Sequence, residues 1–175
     1  MTPNPIKSWR IPSAENSSLR RCDCTGRKIL VDADACPVKG IILRMAKQRN
    51  IPVTMVIDTS HELDDGYSTV IIVDKGADSA DYAIAGIVTS HDIVVTQDYG
   101  LAAMVLARGA SALDQNGMIY TDENIDNLLE RRYIGQKIRR GGGRTKGPRK
   151  RTREDDCRFE AAFEKMLDCR SNGCS

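Results

Sequence analysis

Short apolar runs rich in β-branched residues alternate with segments of helical periodicity over much of the chain. Four such runs lie at 28–31, 53–57, 69–73 and 92–96, and their lengths are typical of buried strands. Between the first two runs, Val38, Ile42 and Met45 recur at the spacing of one helix face. Strands that alternate with helices favour a three-layer α/β fold, with helices on both faces of a mostly parallel sheet.

Capping and turn signals set the helix boundaries. Helices are predicted from Pro37 to near Asn50, from Asp78 or Ser79 to about Val88, from Leu101 to Gly109, from Asn124 onwards, and over 153–168. Residues 1–26 show no sustained periodicity and are expected to form a flexible N-terminal extension. The sequence thus predicts one domain over 27–169, with a basic, glycine-rich segment at 137–153 and a short tail at 170–175.

Composition excludes several classes of protein. With 41% hydrophobic and 29% charged residues, the 175-residue chain matches neither a disordered nor a collagen-like protein. It has no apolar run near the ~20 residues of a membrane span, and its N-terminus lacks the apolar core of a secretory signal. We therefore expect a cytoplasmic protein. Its six cysteines are expected to be reduced, as is usual in a cytosolic protein, and their spacing matches no zinc finger or zinc ribbon.

Charge is distributed very unevenly along the chain, although the formal net charge is only +2. Residues 29–130 carry 6 Lys and Arg against 16 Asp and Glu, whereas residues 131–153 carry 11 basic residues and no acidic one. We call residues 131–153 the basic segment; it includes the glycine-rich stretch 137–153. An acidic body followed by such a segment suits a polyanionic ligand held near a cation-binding carboxylate site. The plainer interpretation is a solvated basic tail on an acidic domain.

Acidic residues follow three of the predicted strands. Asp32 and Asp34 follow the first run, Asp78 and Asp81 follow the third, and Asp98 follows the fourth. In parallel sheets, ligands bind at this edge, beyond the carboxyl ends of the strands. Clustered carboxylates repel one another unless a cation compensates, and Mg²⁺ and Mn²⁺ prefer such oxygen-rich sites. The sequence therefore predicts a site for Mg²⁺ or Mn²⁺, of the kind that supports phosphodiester cleavage.

Several nearby side chains allow more than one interpretation. Asp78 can cap the following helix as readily as it can bind metal. Asp34 can ligate metal directly or, as we favour, orient Asp32 through a water molecule, and Thr96 can bond a ligand or cap the next helix. Cys36 precedes a proline at a helix start, and we expect it to pack in the core rather than act as a nucleophile.

Motifs along the chain resemble those of one known family. The segments VDADACPVK, GADSAD, HDIVVTQDYGLAA and GGGRTKGP, in this order and spacing over about 29–167, resemble the YaiI/YqxD family of bacterial proteins. That family is similar to the PIN-like domains, many of which are nucleases dependent on Mg²⁺ or Mn²⁺. The resemblance implies a three-layer PIN-like sandwich whose metal-binding and catalytic residues are Asp32, Asp78, Asp81 and Asp98. His91 and Tyr82 depart from the family pattern, which usually has Gly and a second acid at these positions.

The leading functional prediction is a Mg²⁺- or Mn²⁺-dependent nuclease that acts on RNA or another phosphodiester. Phosphate contacts are then expected from the basic segment, through Arg139, Arg140, Arg144, Thr145 and Lys146. One alternative is an RNA- or nucleotide-binding module without catalysis. A second is a phosphatase of the haloacid-dehalogenase type, in which Asp32 is the nucleophile and Asp34 the acid. Phosphatases of this type have a Ser or Thr and a Lys before their last acidic pair, whereas here Asp78 and Asp81 precede Thr96. This order counts against the phosphatase.

Overall fold

The computed structural model describes residues 26–34, 36–58, 65–74, 76, 78–141 and 149–168. These residues form six strands, which are β1 (Ile29–Asp32), β2 (Val53–Asp58), β3 (Thr69–Val73), β4 (Ile93–Val95), β5 (Ser111–Leu113) and β6 (Ile119–Tyr120). They also form five helices, which are α1 (Lys39–Arg49), α2 (Ser79–Ile87), α3 (Tyr99–Ala107), α4 (Asp122–Arg140) and α5 (Arg153–Asp168). The predicted N-terminal extension up to residue 25, and the predicted tail, lie outside the described residues.

The six strands form one sheet with the order β3-β2-β1-β4-β5-β6. Strands β1 to β5 run parallel, and β6 pairs antiparallel with β5. The first strand, β1, lies in the middle of the sheet; β2 and β3 follow on one side of β1, and the chain then crosses through α2 to add β4 on the other side. This creates a topological switch point between the carboxyl ends of β1 and β4, where ligands bind in open α/β sheets. The predicted α/β class with a mostly parallel sheet is confirmed.

Helices cover both faces of the sheet because side chains pointing to either face of its central strands are apolar. On one face, Val31 packs in a core that includes α1 and the α5 residues Phe159 and Phe163. On the other face, Leu30 and Val94 pack in a second core with residues of α2, α3 and α4. The result is the expected three-layer arrangement.

Helix α5 is held against the sheet near both of its ends. Near its C-terminus, Nη1 of Arg27 donates to the carbonyl oxygen of Leu167 at 2.9 Å. Near its first turns, the β5–β6 turn approaches so closely that a Cβ on Gly117 would lie 2.7 Å from the carbonyl oxygen of Arg158. Gly117 also has a φ of +85°, so both its conformation and its contact with α5 favour glycine. These contacts place the start of α5 beside the carboxyl ends of the strands.

Two features of the fold go beyond the sequence pattern. Strands β5 and β6 have three and two residues, which is too short for a detectable periodicity. Helix α4 continues for 19 residues to Arg140, so that its second half contains the beginning of the basic segment. In the part of the chain that the structure describes, no helix combines the length and the apolar character needed to cross a membrane.

Candidate active site

Asp32 is the last residue of β1 and lies half-buried at the switch point beside β4. Thr96, the first residue after β4, is fully buried, and its Oγ1 donates to Oδ2 of Asp32 at 2.9 Å. The same hydroxyl oxygen accepts from the backbone N–H of Asp98 at 3.0 Å. Burial raises the pKa of Asp32, the Thr96 hydrogen bond opposes this rise, and the charges of Asp34 and Asp98 add to it. Thr96 therefore fixes Asp32 in place and ties it to the loop that carries Asp98.

Asp98 both caps α3 and pairs with a cation from α4. Its Oδ1 accepts from the backbone N–H groups of Gly100 at 2.7 Å and Leu101 at 3.2 Å, which satisfies two donors of the first helical turn. Nη1 of Arg132 lies 2.9 Å from Oδ1 and 2.8 Å from Oδ2 of the same carboxylate. The capping bonds hold Asp98 at the switch point, and Arg132 supplies a positive charge beside it.

Asp78 and Asp81 come to this region from the start of α2. Asp78 occupies the N-cap position with a left-handed φ of 65°, yet its side chain makes no capping hydrogen bond within the described residues. Asp81 lies in the first turn of the helix. Burial, followed by the like charges of Asp98, Asp32 and Asp78, raises the pKa of Asp81 to about 6, whereas Arg132 opposes the rise. The structure thus brings the four predicted carboxylates close enough to interact, and we call Asp32, Asp78, Asp81 and Asp98 the carboxylate cluster.

An open crevice of about 360 Å³ lies beside the carboxylate cluster. Its carboxylates are those of Asp34, Asp58, Asp74, Asp78 and Asp81, and we call it the acidic crevice. Oδ1 of Asp34 accepts from the backbone N–H of Asp58 at 2.9 Å, which joins the loop after β1 to the end of β2. The crevice shares Asp78 and Asp81 with the carboxylate cluster. A cation is favoured in such a crevice, and an anion entering it alone is repelled.

The donor set of the cluster fits a hard divalent cation, because it consists of carboxylate oxygens. Burial is the main reason for the raised pKa values of Asp32 and Asp81, and the like charges of neighbouring carboxylates add to both; Arg132 opposes the rise at Asp81. Among the residues that the structure describes, no three or more His, Cys, Asp or Glu side chains are arranged as metal ligands. The carboxylate cluster would therefore have to rearrange before its members could ligate one ion together.

The residues that build this site match a known protein family. A family model described as "Uncharacterized BCR, YaiI/YqxD family" matches residues 30–169, which include the whole carboxylate cluster and Arg132. The chain belongs to the YaiI/YqxD family. This confirms the resemblance seen in the sequence motifs.

Relatives in the YaiI/YqxD family are similar over nearly their full length. A UPF0178 protein of Ruminiclostridium cellulolyticum is 60% identical over 146 residues, which is 83% of this chain and 95% of the relative. A UPF0178 protein of Alkaliphilus oremlandii is 55% identical over 142 residues, which is 81% of this chain and 91% of the relative. No solved structure matches the chain.

Arg132 is a site residue of this YaiI/YqxD chain that the sequence pattern assigns to a basic tail. The sequence nevertheless contains a signal that places Arg132 in a helix. Ile125, Leu128, Leu129 and Arg132 follow the i, i+3, i+4, i+7 spacing of one helix face, and the three apolar members pack in the core beside α3. Helical periodicity continued past Leu129 would have placed Arg132 on the inward face of α4.

The predicted phosphate contacts are only partly covered by the structure. Arg140 is exposed at the end of α4. The side chain of Arg139 and residues Arg144, Thr145 and Lys146 lie outside the described residues. Their role stays a prediction.

Cys36 packs in the core of the α5 face, as expected from the sequence. Burial raises the pKa of its thiol, and the nearby charges of Lys39 and Arg151 oppose this rise. The neutral thiol is therefore the favoured form, which suits a packing role better than nucleophilic catalysis.

Proposed function

We propose that this protein is a nuclease that hydrolyses phosphodiester bonds of RNA with the help of Mg²⁺ or Mn²⁺. The observation that carries the proposal is the convergence of the carboxylate cluster, from three strand exits, at the switch point between β1 and β4. The similarity of the YaiI/YqxD family to the PIN-like domains supports the same class of reaction, by analogy of fold.

The chain's own contacts fix two members of the carboxylate cluster, Asp32 and Asp98. Thr96 holds Asp32 through its hydroxyl, and the backbone N–H groups of Gly100 and Leu101 hold Asp98. Asp32 and Asp98 are thus held in place before a charge arrives, which is the kind of preorganisation that electrostatic catalysis uses. When bound, a divalent cation would supply neutralisation of the charge on the phosphodiester.

A polyanionic substrate is favoured over a small phosphate ester because of the basic segment. The 11 cations of residues 131–153 follow the acidic body directly in sequence, and Arg132 joins the two by its contact with Asp98. Repeated phosphates bound by several separate cations are typical of nucleic-acid ligands.

Cleavage of a labelled single-stranded RNA by the full chain tests the proposal. The RNA is incubated with millimolar Mn²⁺ or with EDTA, and its products are separated by denaturing electrophoresis. We expect cleavage in the samples that contain Mn²⁺ and none in those that contain EDTA. Asp32→Asn should slow it at least ~100-fold, since the metal and its ligands contribute several kcal/mol to such reactions. Asp126→Asn, which removes an exposed carboxylate from α4, is the charge-matched control and should cleave like the wild type.

Two results would overturn the proposal. RNA retained intact in the presence of Mn²⁺ would favour the non-catalytic binding module. Turnover of a phosphomonoester such as p-nitrophenyl phosphate without RNA cleavage would favour the phosphatase with Asp32 as nucleophile. A melting-temperature measurement on each variant shows whether it is folded.

A further inference from the structure

A second cavity, of about 400 Å³, lies where the start of α5 meets the loops that follow β1, β4 and β5. We propose that this cavity binds a phosphate group of the RNA, an inference that rests on the proposed function for the identity of the ligand. The side chains that carry the argument are Gln97, Gln115, Arg149, Arg151, Asp155 and Arg158, and we call the cavity the basic pocket.

Three guanidinium groups in the basic pocket face a single lining carboxylate. Asp155 is buried and accepts from Nη2 of Arg149 and, at 3.1 Å, from Nη2 of Arg158. It also accepts from the backbone N–H and hydroxyl of Thr152, at 2.9 and 3.0 Å. Asp155 therefore positions two of the arginines, and Asp156, outside the lining, pairs with Arg151; three guanidinium groups against two carboxylates leave an excess of one positive charge. Guanidinium groups arranged in this way match the oxygens of a phosphate.

Arg151 contributes a buried donor that has no acceptor in the described part of the chain. Its Nε donates to Oδ1 of Asp156 at 2.6 Å, and its Nη1 lies 3.4 Å from Oδ1 of Asn116. Its Nη2 is buried and makes no hydrogen bond to the described residues. A buried donor without an acceptor is costly, so a movement of Arg151 that lets this nitrogen donate to a ligand oxygen in the cavity would be stabilised. An anion is the ligand that such a donor favours.

The basic pocket and the carboxylate cluster are built on the same loops. Gln97 lines the pocket and lies between Thr96, which bonds Asp32, and Asp98, which belongs to the cluster. Pro37, from the loop after β1, also lines the pocket. A phosphate held here would thus lie directly beside the switch point. The pocket would hold one phosphate of the RNA while the adjoining RNA backbone passes over the carboxylate cluster.

Binding of short single-stranded RNA in EDTA tests the pocket without cleavage. Fluorescence anisotropy is measured on the full chain with RNA that carries or lacks a 5′ phosphate, and inorganic phosphate is used as competitor. We expect Arg149→Gln and Arg158→Gln each to weaken binding about 5- to 10-fold. The slope of the logarithm of the binding constant against the logarithm of the salt concentration should become shallower by about 0.7 for each lost phosphate contact. Arg153→Gln, which removes the same charge from the first residue of α5 outside the pocket lining, should change binding less than about 2-fold.

The outcomes separate this proposal from the proposed function. Unchanged RNA affinity in a folded Arg149→Gln/Arg158→Gln double variant would overturn the pocket, even if the wild type cleaves RNA. Loss of affinity in these variants together with competition by phosphate would support it, even if Mn²⁺ produces no cleavage. A loss confined to 5′-phosphorylated RNA would assign the pocket to a terminal phosphate, and a loss with both RNAs to an internal one. A melting temperature near that of the wild type shows that the variants are folded.

Discussion

Asp81→Asn tests whether a negative charge on Asp81 is disfavoured in the folded protein, by burial and by the neighbouring carboxylates. Asp81 lies in the first turn of α2, where burial and the charges of Asp98, Asp32 and Asp78 raise its pKa from the ordinary 3.8 to about 6. Asparagine has nearly the same shape and cannot ionise. The variant therefore removes the repulsion and leaves the packing of the helix start almost unchanged.

The sign of the effect follows from the direction of the pKa change. Below pH 3.8 the Asp81 carboxyl is neutral in both the unfolded and the folded protein, so the wild type has its full stability there. As the pH rises through about 6, the folded protein must ionise Asp81 against its neighbours and loses free energy of unfolding. The difference between a pKa of 3.8 and one of about 6 corresponds to roughly 3 kcal/mol in the free energy of unfolding. Solvent screening at this half-exposed site reduces that figure to about 1–2 kcal/mol.

Urea unfolding in EDTA, at pH values from about 4 to about 8, measures this difference. We expect Asp81→Asn to match the wild type near pH 4 and to be about 1–2 kcal/mol more stable near pH 7.5. That gain raises the melting temperature by roughly 2–8 °C. Saturating Mn²⁺ should remove the advantage, because a bound cation compensates the wild-type carboxylate. The exposed Asp126→Asn substitution should show little dependence on pH. A constant difference between Asp81→Asn and the wild type at all pH values would refute the reasoning.

Three further substitutions probe the site and the scaffold that supports it. Arg132→Gln removes the cation at Asp98, so we expect a lower melting temperature in EDTA and a larger rise on adding Mn²⁺ than in the wild type; equal rises would contradict competition between Arg132 and metal. Asp92→Ala deletes a fully buried acceptor of three hydrogen bonds, which should cost about 2–4 kcal/mol in urea unfolding; a loss well below 1 kcal/mol would argue against this role. Gly117→Ala forces a Cβ against the carbonyl oxygen of Arg158, and we expect a loss of about 1–3 kcal/mol; an unchanged urea midpoint would show that the turn can move away from α5.

The central strands could be predicted because each is a continuous apolar run that is buried on both faces. The observed bounds of β4, Ile93–Val95, differ from the predicted run by one residue at each end. Strands β5 and β6 could not be predicted, since three and two residues carry no period. Their pairing depends on the turn between them, where Oδ1 of Asp114 accepts from the backbone N–H groups of Asn116 and Met118, both at 2.8 Å. Side-chain chemistry in that turn, rather than hydrophobicity, positions this part of the sheet.

The carboxylate cluster could be predicted for a topological reason, and the cations could not. Parallel strands all end at one edge of the sheet, so acidic residues that follow three such strands are brought near one another. Arg132 reaches Asp98 only because α4 packs its inward face beside α3. Arg149 and Arg158 meet the loops after β1 and β4 only because α5 lies across the opposite face of the sheet. Such contacts depend on how two helices are oriented in space, and residue spacing does not contain that information.

The two proposed sites have opposite charge and share the loop from Thr96 to Asp98, which makes their occupancies interdependent. An RNA phosphate that approaches the carboxylate cluster is repelled until a cation neutralises part of its charge. A cation in the cluster would therefore strengthen the binding of RNA through the basic pocket. Coupling between two sites is reciprocal, so bound RNA would strengthen the binding of the cation to the same degree. Arg132, fixed on Asp98 in the structure, can hold the cluster together until the cation and the RNA arrive. The acidic body and the basic segment would then be two halves of one binding surface, and the uneven charge of the sequence would be a consequence of that function.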